Sequence, residues 1–421
     1  MRKLYEMFQA AARAHARWEY ETSLTILRDR RKLFLLLVLC TPLLVPIIGY
    51  AADLPGILGG KSAYAPAFYS PKIFLVSILI GLCAGLITGC IGAGGGFIIT
   101  PALMSVGVKG ILAVGTDLFH IFAKAIMGTT VHKKLGNVSI GLAVAFVAGS
   151  FIGVSGGGIL NRALYMSNPV LSDTFISVIY VLLLGFLGFY ALFDFLRQRS
   201  GVAKIDSAAA HETAAAGGAV TGIAGRLQAS NIPPRITFDQ DLVPGGRKIP
   251  AIFVAGCGGI VGFVAAIMGV GGGFLTFPMF VYGLGVSSFT TVGTDILQII
   301  FTAGYASISQ YAVYGFIFYT LAMGMLLGSL IGIQVGALTT KVVKGIYIRG
   351  FYATAIIAGF LNRLFVLPSK LSKLGVISVS PGLGNALTVA GNWIFFIIVG
   401  IFAVWVISTF FRNLPKLREE V

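Results

Sequence analysis

GAGGGFIITP at 92–101 and GVGGGFLTFP at 269–278 are two versions of one ten-residue stretch, and this stretch decides the fold. The copies agree at six of ten positions, and each is followed by VGTD, at 114–117 and at 292–295. The offset changes only from 177 to 178 residues between the two blocks. Two unrelated apolar segments can share glycine by composition, but they do not share two blocks in the same order and nearly in register. The chain therefore contains an internal duplication.

The composition around these blocks is that of a membrane protein. Of the 421 residues, 57% are hydrophobic and 11% are charged, and the mean hydropathy is +0.91. An average soluble domain has about 25% charged residues, and so few charges cannot cover a water-soluble protein of this size. Globular, disordered and fibrous classes are excluded, which leaves a multi-spanning membrane protein. The 56 glycines fit close helix packing in lipid.

The duplicated blocks lie in two groups of five apolar segments, which divide the chain. The predicted segments are 73–91, 97–107, 111–131, 138–160 and 174–196 in the first group and 251–268, 274–285, 288–312, 316–338 and 347–367 in the second, with further crossings at 33–52 and 390–411. The predicted domains are a basic cytoplasmic or interfacial segment 1–32, an extra transmembrane helix and external loop 33–72, a first membrane repeat 73–196, a flexible cytoplasmic linker 197–250, a second membrane repeat 251–367, and a loop, last transmembrane helix and basic tail 368–421.

The net charge of +16, from 31 basic and 15 acidic residues, indicates membrane topology rather than nucleic-acid binding. Basic residues collect in cytoplasmic loops. We place the basic residues 1–32 in the cytoplasm. The linker and the C-terminal tail then also lie in the cytoplasm if 73–107 forms a hairpin whose two ends are on the same face of the membrane. We therefore expect a multi-pass protein of the cytoplasmic (inner) cell membrane with both termini in the cytoplasm.

The hairpin 73–107 has a short second arm. At 1.5 Å per residue, 97–107 spans about 16 Å and cannot cross a hydrocarbon core of about 30 Å, so two half-helices that meet near the midplane are predicted. Each repeat then crosses the membrane an odd number of times, and the repeats are inverted, as in many secondary transporters. The predicted fold is an all-α polytopic membrane protein, an inverted-repeat helical bundle with glycine-broken hairpins.

The glycine runs 94–96 and 271–273 are candidate substrate-binding elements. Each glycine inside a helix costs about 1 kcal/mol relative to alanine, and in lipid exposed backbone is tolerated only where it is buried in protein or lines a cavity. A helix that starts after such a break presents free N–H groups and a positive dipole end to an anion. The alternative is a tight turn or a close helix contact. The candidates are Gly94, Gly95, Gly96 and Phe97, with Gly271, Gly272, Gly273 and Phe274 in the second copy.

Asp117 and Asp295 are candidate proton-coupling residues inside apolar segments. A carboxylate at mid-membrane costs about 2.5–3.5 kcal/mol, so two equivalent ones need an explanation. A carboxylate beside His and Lys can bind and release a proton, or can neutralise a cation near an anion site. The alternative is a buried structural hydrogen bond. The helical spacing i, i+3, i+7 places on one face Asp117, His120 and Lys124 in the first repeat, and Asp295, Gln298 and Thr302 in the second.

Several neutral and basic side chains complete the candidate substrate site. Thr116, Thr294 and Gln298 can donate to an oxyanion together with the glycine amides, although helix–helix hydrogen bonding explains each threonine equally well. His120 and Lys124 are further candidates, with snorkelling to an interface as the alternative for the lysine. Ser329 and Gln334 are minor candidates, and Asn362-Arg363, near a predicted segment end, is interpreted as an interfacial anchor.

The sequence shows no pattern typical of an enzyme. It supplies no Ser-His-Asp set, metal-ligand cluster or cofactor motif, and its four cysteines form no CxxC pair. No enzymatic activity, cofactor or metal is predicted. The expected partners are a small anionic substrate and the lipid bilayer, not nucleic acid, and homo-oligomerisation stays open. A passive anion channel and a non-transporting membrane scaffold are the alternatives to a carrier that works by alternating access.

The duplicated signature G-x-GGG-F-x-x-x-P, followed each time by VGTD, resembles the TauE/SafE sulfite exporter family, also called the TSUP family, over roughly 73–367. The resemblance implies a cytoplasmic-membrane transporter of small sulfur-containing or organic anions, such as sulfite, sulfoacetate or related sulfonates, with no enzyme activity and no prosthetic group. The family's glycine motif maps to 92–101 and 269–278. The long basic N-terminus and the linker depart from the family pattern.

Overall fold

The computed structural model describes residues 71–91, 95–134, 138–199, 222–240, 245–343 and 345–413. The predicted basic segment 1–32, the predicted helix 33–52 and Gly94 lie outside these ranges.

The described elements follow the order of the predicted segments. The first repeat contains α1 (Pro71–Ile91), α2 (Gly96–Ser105), α3 (Gly110–Lys134), α4 (Ile140–Ser167) and α5 (Pro169–Arg199). After α6 (Gly222–Ala229), strands β1 (Arg235–Phe238) and β2 (Arg247–Pro250) form a two-stranded antiparallel hairpin. The second repeat contains α7 (Ala251–Met268), α8 (Gly273–Pro278) with a π-helical extension (Met279–Leu284), α9 (Ser288–Tyr305) with a π-helical extension (Ala306–Ala312), α10 (Tyr319–Val342) and α11 (Gly345–Lys373), and α12 (Pro381–Arg412) follows.

Seven of the described helices are long and apolar enough to cross a membrane, namely α1, α4, α5, α7, α10, α11 and α12. The helix α3, which carries the first candidate acid, lies inside them. Every side chain from Gly110 to Ala125 is buried, so the polar groups of this stretch meet protein and not lipid. The chain is an all-α polytopic membrane protein, as predicted.

The two repeats interlock through equivalent pairs of helices. The first helix of each repeat packs against the fourth helix of the other, so that α1 contacts α10 and α7 contacts α4. The third helices α3 and α9 pack together, as do the fifth helices α5 and α11. The pairing of a first helix with a fourth helix occurs twice, and the other two pairings join equivalent helices of the two repeats. A two-fold axis between the repeats produces this arrangement.

The register of the fifth helices gives the direction of this axis. Gly185 of α5 lies against Phe360 of α11, whereas Phe195, further along α5, lies against Gly350, earlier in α11. The equivalent helices therefore run antiparallel, which requires a two-fold axis perpendicular to them. The repeats are inverted, and the predicted inverted-repeat bundle is confirmed.

The two arms of each hairpin are unequal, which corrects one prediction. With 21 residues, α1 extends about 31 Å and can cross the whole hydrocarbon core, whereas α2, with 10 residues, extends about 15 Å. In the second repeat α7 has 18 residues and extends about 27 Å. The prediction of two half-helices is wrong for the first arm, because its apolar run continues without interruption to the glycine break.

The loop predicted at the start of 368–421, before the last crossing at 390–411, is also shorter than expected. The helix α11 continues through Pro368 to Lys373, where the Lys370 ammonium lies 2.8 Å from the Asp173 carboxylate of α5. The next helix starts at Pro381 and not at 390, because the Ser380 hydroxyl accepts the Leu383 N–H and proline suits the first helical position.

The last part of the predicted flexible linker is folded against the second repeat. Phe238 and Ile249 of the β-hairpin are buried in one cluster with Phe146 of α4 and Phe280 and Leu284 beyond α8. The linker elements therefore cover the connection between α8 and α9, which the sequence did not predict.

Candidate functional site

Each short helix starts at a glycine in the left-handed conformation. Gly95, before α2, has φ 71°, and Gly272, before α8, has φ 88°. Residues with a side chain rarely adopt this conformation, whereas glycine does so without steric cost. The conformation turns the chain sharply and exposes the first N–H groups of the new helix.

The start of each short helix faces the acid of its own repeat. A Cβ placed on Gly96 would meet the Asp117 carboxylate at 3.3 Å, and one placed on Gly273 would meet the Asp295 carboxylate at 2.9 Å. A negative charge is favourable at this positive end of a helix. The protein's own carboxylates therefore lie where the sequence predicted that an anion would bind.

The two glycine breaks also contact each other at the centre of the bundle. A Cβ on Gly96 would lie 2.9 Å from the Val270 Cα, and one on Gly269 would lie 2.8 Å from the Thr100 hydroxyl. Gly271 packs against the Ile121 side chain of α3. The breaks are thus joined into one central element and are closed around the acids.

Four buried side chains form a group that we call the repeat-1 cluster: Thr100, Asp117, His120 and Ser329. The Thr100 hydroxyl donates to Asp117 Oδ2 at 3.0 Å, and His120 Nε2 lies 3.0 Å from Ser329 Oγ. His120 Nδ1 is 3.8 Å from Asp117 Oδ1. Among the described residues, neither His120 Nδ1 nor Asp117 Oδ1 has a hydrogen-bond partner. The cluster joins α2 and α3 to α10 of the other repeat.

Lys124 lies one turn beyond His120 and is 9% exposed. Its ammonium donates to the Thr88 hydroxyl of α1 at 3.3 Å, and the Thr88 hydroxyl donates to the Ala84 carbonyl at 2.8 Å. The lysine therefore extends towards α1 inside the protein, close to the cluster.

The equivalent positions of the second repeat form the repeat-2 cluster: Asp295, Gln298, Thr302 and Ser150. The Gln298 amide donates to Asp295 Oδ1 at 2.7 Å, and the Thr302 hydroxyl donates to the Gln298 carbonyl oxygen at 2.8 Å. The Thr302 hydroxyl lies 2.9 Å from that of Ser150 on α4. Asp295 is only partly buried, so the two clusters are similar in plan but differ in chemistry and exposure.

The two threonines of the VGTD blocks bind backbone of the opposite repeat. Thr116 Oγ1 accepts the Phe318 N–H at 2.9 Å, and Thr294 Oγ1 accepts the Ser139 N–H at 3.0 Å. Each donor precedes the fourth helix of the other repeat. These bonds are the helix–helix role that the sequence allowed as the alternative to anion binding.

The aromatic residues that follow the breaks are packed in the core. Phe97 is 1% exposed and lies edge-on to Tyr352 of α11, with 6.0 Å between ring centroids. Phe274 is 5% exposed. Their side chains fix the position of the short helices.

Arg363 corrects another prediction. It is 1% exposed, lies ten residues before the end of α11, and donates to the Pro101 carbonyl at 3.2 Å and to the Ser105 hydroxyl at 2.8 Å. Its neighbour Asn362 also binds Ser105. The pair is not an interfacial anchor, because it binds the C-terminal end of α2. A cation there complements the helix dipole, as Asp117 does at the other end.

The serines that bind the clusters show a sequence signal that was missed. GSFIG at 149–153 and GSLIG at 328–332 form a third duplicated block, which contains Ser150 and Ser329. Ser329 was a minor candidate, whereas Ser150 and Thr100 were not singled out. The offset of 179 residues continues the register of the first two blocks.

Similar proteins place the chain in a family. The model of the family Sulfite exporter TauE/SafE matches residues 77–363. Probable membrane transporter protein YjnA of Bacillus subtilis (strain 168) is 24% identical over 268 residues, which cover 62% of this chain and 87% of that protein. Probable membrane transporter protein YunE of the same organism is 32% identical over 97 residues, which cover 23% of this chain and 36% of that protein.

No solved structure matches the chain. Because the family match extends over more than half of the sequence and includes both glycine breaks, both acids and all three duplicated blocks, the protein belongs to the sulfite exporter TauE/SafE family of membrane transporters.

Proposed function

We propose that this protein is a secondary transporter of small anions, in the first place sulfur-containing ones such as sulfite or organosulfonates. It works by alternating access in the cytoplasmic membrane, with both termini in the cytoplasm. The observation that carries the proposal is the meeting of two inverted glycine breaks at the centre of the bundle, each with a carboxylate at its helix start. The function involves no chemical change of the substrate, and therefore no enzymatic step.

The central element has the chemistry of an anion site. Two helix starts supply N–H groups and positive dipole ends, and His120 and Lys124 supply donors and positive charge near the first break. The Gln298 amide lies beside the second. A pyramidal oxyanion such as sulfite needs several donors at once, which this set provides when the carboxylates are protonated or displaced. Asp117 and Asp295 therefore couple protons to transport or balance charge.

The inverted repeats supply the conformational change. Asp117 and His120 are 0% exposed, so substrate reaches them only when helices separate. Because the repeats are equivalent and inverted, a rearrangement that opens one face has a counterpart that opens the other.

The test is uptake of radiolabelled sulfite into proteoliposomes that contain the full chain, with and without an imposed pH gradient. A carrier gives saturable uptake and counterflow, in which unlabelled sulfite on one side drives labelled sulfite from the other. Flux that does not saturate, with measurable conductance, would instead identify a channel. No flux of sulfite or of small sulfonates would remove the transport proposal. Thr354→Ala is the matched control, because Thr354 is exposed and binds only a carbonyl of its own helix among the described residues.

A further inference from the structure

The hydrogen bonds of the repeat-1 cluster indicate the direction in which His120 donates. The Ser329 hydroxyl donates to the Leu326 carbonyl of its own helix at 3.1 Å. A serine has one hydroxyl proton, so while that proton is given to the Leu326 carbonyl, the bond of 3.0 Å between Ser329 Oγ and His120 Nε2 needs the imidazole as donor. In this arrangement His120 carries a proton on Nε2.

The other ring nitrogen of His120, Nδ1, then faces an oxygen of the Asp117 carboxylate, and both atoms are acceptors. In a neutral imidazole with Nε2 protonated, Nδ1 is an acceptor. It lies 3.8 Å from Asp117 Oδ1, which is also an acceptor when the carboxylate is ionised. Within the described part of the chain, neither atom has another partner, and both residues are 0% exposed. Two unpaired acceptors in a buried site are unfavourable, because each loses its hydrogen bonds to water without replacement.

One proton resolves this arrangement. The gap of 3.8 Å is longer than a hydrogen bond, and a small side-chain rotation would bring it into the normal range of about 2.7–3.2 Å. We propose that Asp117 and His120 together bind one exchangeable proton between Oδ1 and Nδ1, and that this is the proton coupled to anion transport. The coupling rests on the proposed function, whereas the proton site rests on the geometry.

Charge explains why this proton would travel with an anion. Among the residues that the structure describes, the other titratable groups near the pair are Lys124 on the same helix and Tyr180 on α5, whose hydroxyl donates to the Met268 carbonyl at 2.7 Å. With a neutral tyrosine, the carboxylate and the ammonium balance each other when the shared proton is absent. Proton binding leaves one net positive charge beside the glycine breaks. An anion restores neutrality there, so the two are carried in the same direction.

The second repeat lacks such a proton site. In the repeat-2 cluster Gln298 takes the place of His120 and already donates to Asp295, and Thr302 donates to Gln298. Gln298 and Thr302 do not titrate, and Asp295 Oδ1, unlike Asp117 Oδ1, already accepts a hydrogen bond. Asp295 therefore balances charge, and the exchangeable proton belongs to the first repeat.

The position of Ser329 links the proton to movement. Ser329 lies on α10 of the second repeat and His120 on α3 of the first, so the shared proton stabilises a contact that spans the repeats. Loss of the proton leaves two acceptors opposed at this contact and favours separation of the helices.

The proton site is tested by nitrogen NMR of the full chain, labelled with ¹⁵N-histidine and placed in lipid nanodiscs. The chain has four histidines, and the His120 signals are those lost in His120→Gln. We expect Nε2 to stay protonated while Nδ1 changes with pH. In Asp117→Asn the amide donates permanently to Nδ1, so the pH response should disappear, whereas Asp295→Asn should leave it in place. An unprotonated His120 Nε2 would overturn the proton site, and so would a pH dependence of the Nδ1 signal that persists in Asp117→Asn.

The coupling is tested separately by sulfite uptake under a pH gradient. His120→Gln introduces the residue found at the equivalent position of the second repeat, whose amide can donate to the neighbouring carboxylate as Gln298 does, so the variant is expected to fold. Because the change also alters the anion site, the readout is the ratio of uptake with and without the gradient, and not the uptake itself. The variant should lose the stimulation by the gradient. Stimulation that survives in this variant would overturn the coupling and leave the transport proposal standing. If the wild type does not transport sulfite, the proposed substrate is wrong, and the NMR result alone decides on the proton site.

Discussion

His120 and Ser329 form a buried hydrogen bond between the two repeats, with Nε2 and Oγ 3.0 Å apart and both side chains 0% exposed. The bond connects the third helix of one repeat to the fourth helix of the other. In the second repeat, Ser150, the equivalent of Ser329, lies 2.9 Å from Thr302, one turn beyond Gln298, which takes the place of His120. The third helix of each repeat is thus bonded to the fourth helix of the other repeat, α3 to α10 and α9 to α4.

Ser329→Ala should destabilise the protein, because it leaves the His120 N–H buried without an acceptor. Such an orphaned donor costs about 1–3 kcal/mol, which thermal unfolding of the purified protein in detergent would show as a lower midpoint. The matched control is Ser177→Ala, since the buried Ser177 hydroxyl bonds only the Asp173 carbonyl of its own helix among the described residues. Equal midpoints for the two variants would mean that the bond between the repeats contributes nothing.

Gly96→Ala and Gly273→Ala should each abolish transport. A methyl group at Gly96 would lie 2.9 Å from the Val270 backbone, and one at Gly273 would lie 2.9 Å from the Asp295 carboxylate, so the helix starts must move away from the acids. Sulfite uptake by proteoliposomes measures the effect. In Gly256→Ala, the new methyl group meets nothing within 4 Å, and uptake should equal that of the wild type. Transport by both break variants would exclude the glycine breaks from the substrate path.

Arg363→Lys should weaken the anchoring of α2 even though it keeps the charge. The guanidinium reaches the Pro101 carbonyl, the Ser105 hydroxyl and Asn362 together, and a single ammonium cannot reproduce this fork. At least one buried acceptor then loses its donor, at a cost of about 1–3 kcal/mol. The unfolding midpoint is the measurement, with Arg412→Lys at the exposed end of α12 as the control. A midpoint equal to that of the control would show that charge alone holds α2.

The sequence was sufficient to find the central element because its signals are local. Three consecutive glycines break a helix whatever surrounds them, and a carboxylate in an apolar segment must be enclosed by protein. The repetition of both signals at a nearly constant offset then indicated two equivalent breaks. These properties depend on neighbours along the chain, and the structure places Asp117 and Asp295 beside Gly96 and Gly273.

The partners across the repeats could not be predicted, because they depend on how distant helices pair. The bond between Thr116 and the Phe318 N–H joins residues 202 positions apart, and no local pattern relates them. The role of Arg363 was missed for a different reason. A proline usually indicates a helix end, but α11 continues past Pro368, where Lys370 pairs with Asp173 of α5, and Arg363 therefore lies well inside the helix.

The folded end of the linker makes a buried polar contact with the connection between α8 and α9. Asp239 accepts the Ser287 N–H at 3.0 Å and the Ser287 hydroxyl at 2.7 Å. Arg247 donates to the Gly285 carbonyl at 3.1 Å and lies 3.8 Å from Asp239. Asp239 and Arg247 are at most 9% exposed, so the contact excludes water.

Asp239→Ala should release this hairpin without unfolding the bundle. The change removes both bonds to Ser287 and leaves the Arg247 charge buried without its carboxylate, which is strongly unfavourable. Because the hydrophobic packing of the seven long helices is untouched, the loss should be local. Limited trypsin digestion should then cut faster after Arg247 and Lys248, while the thermal midpoint of the bundle changes little. Gln240→Ala, at an exposed neighbouring position, should digest like the wild type. Unchanged digestion in Asp239→Ala would show that apolar packing of the hairpin is enough to hold it in place.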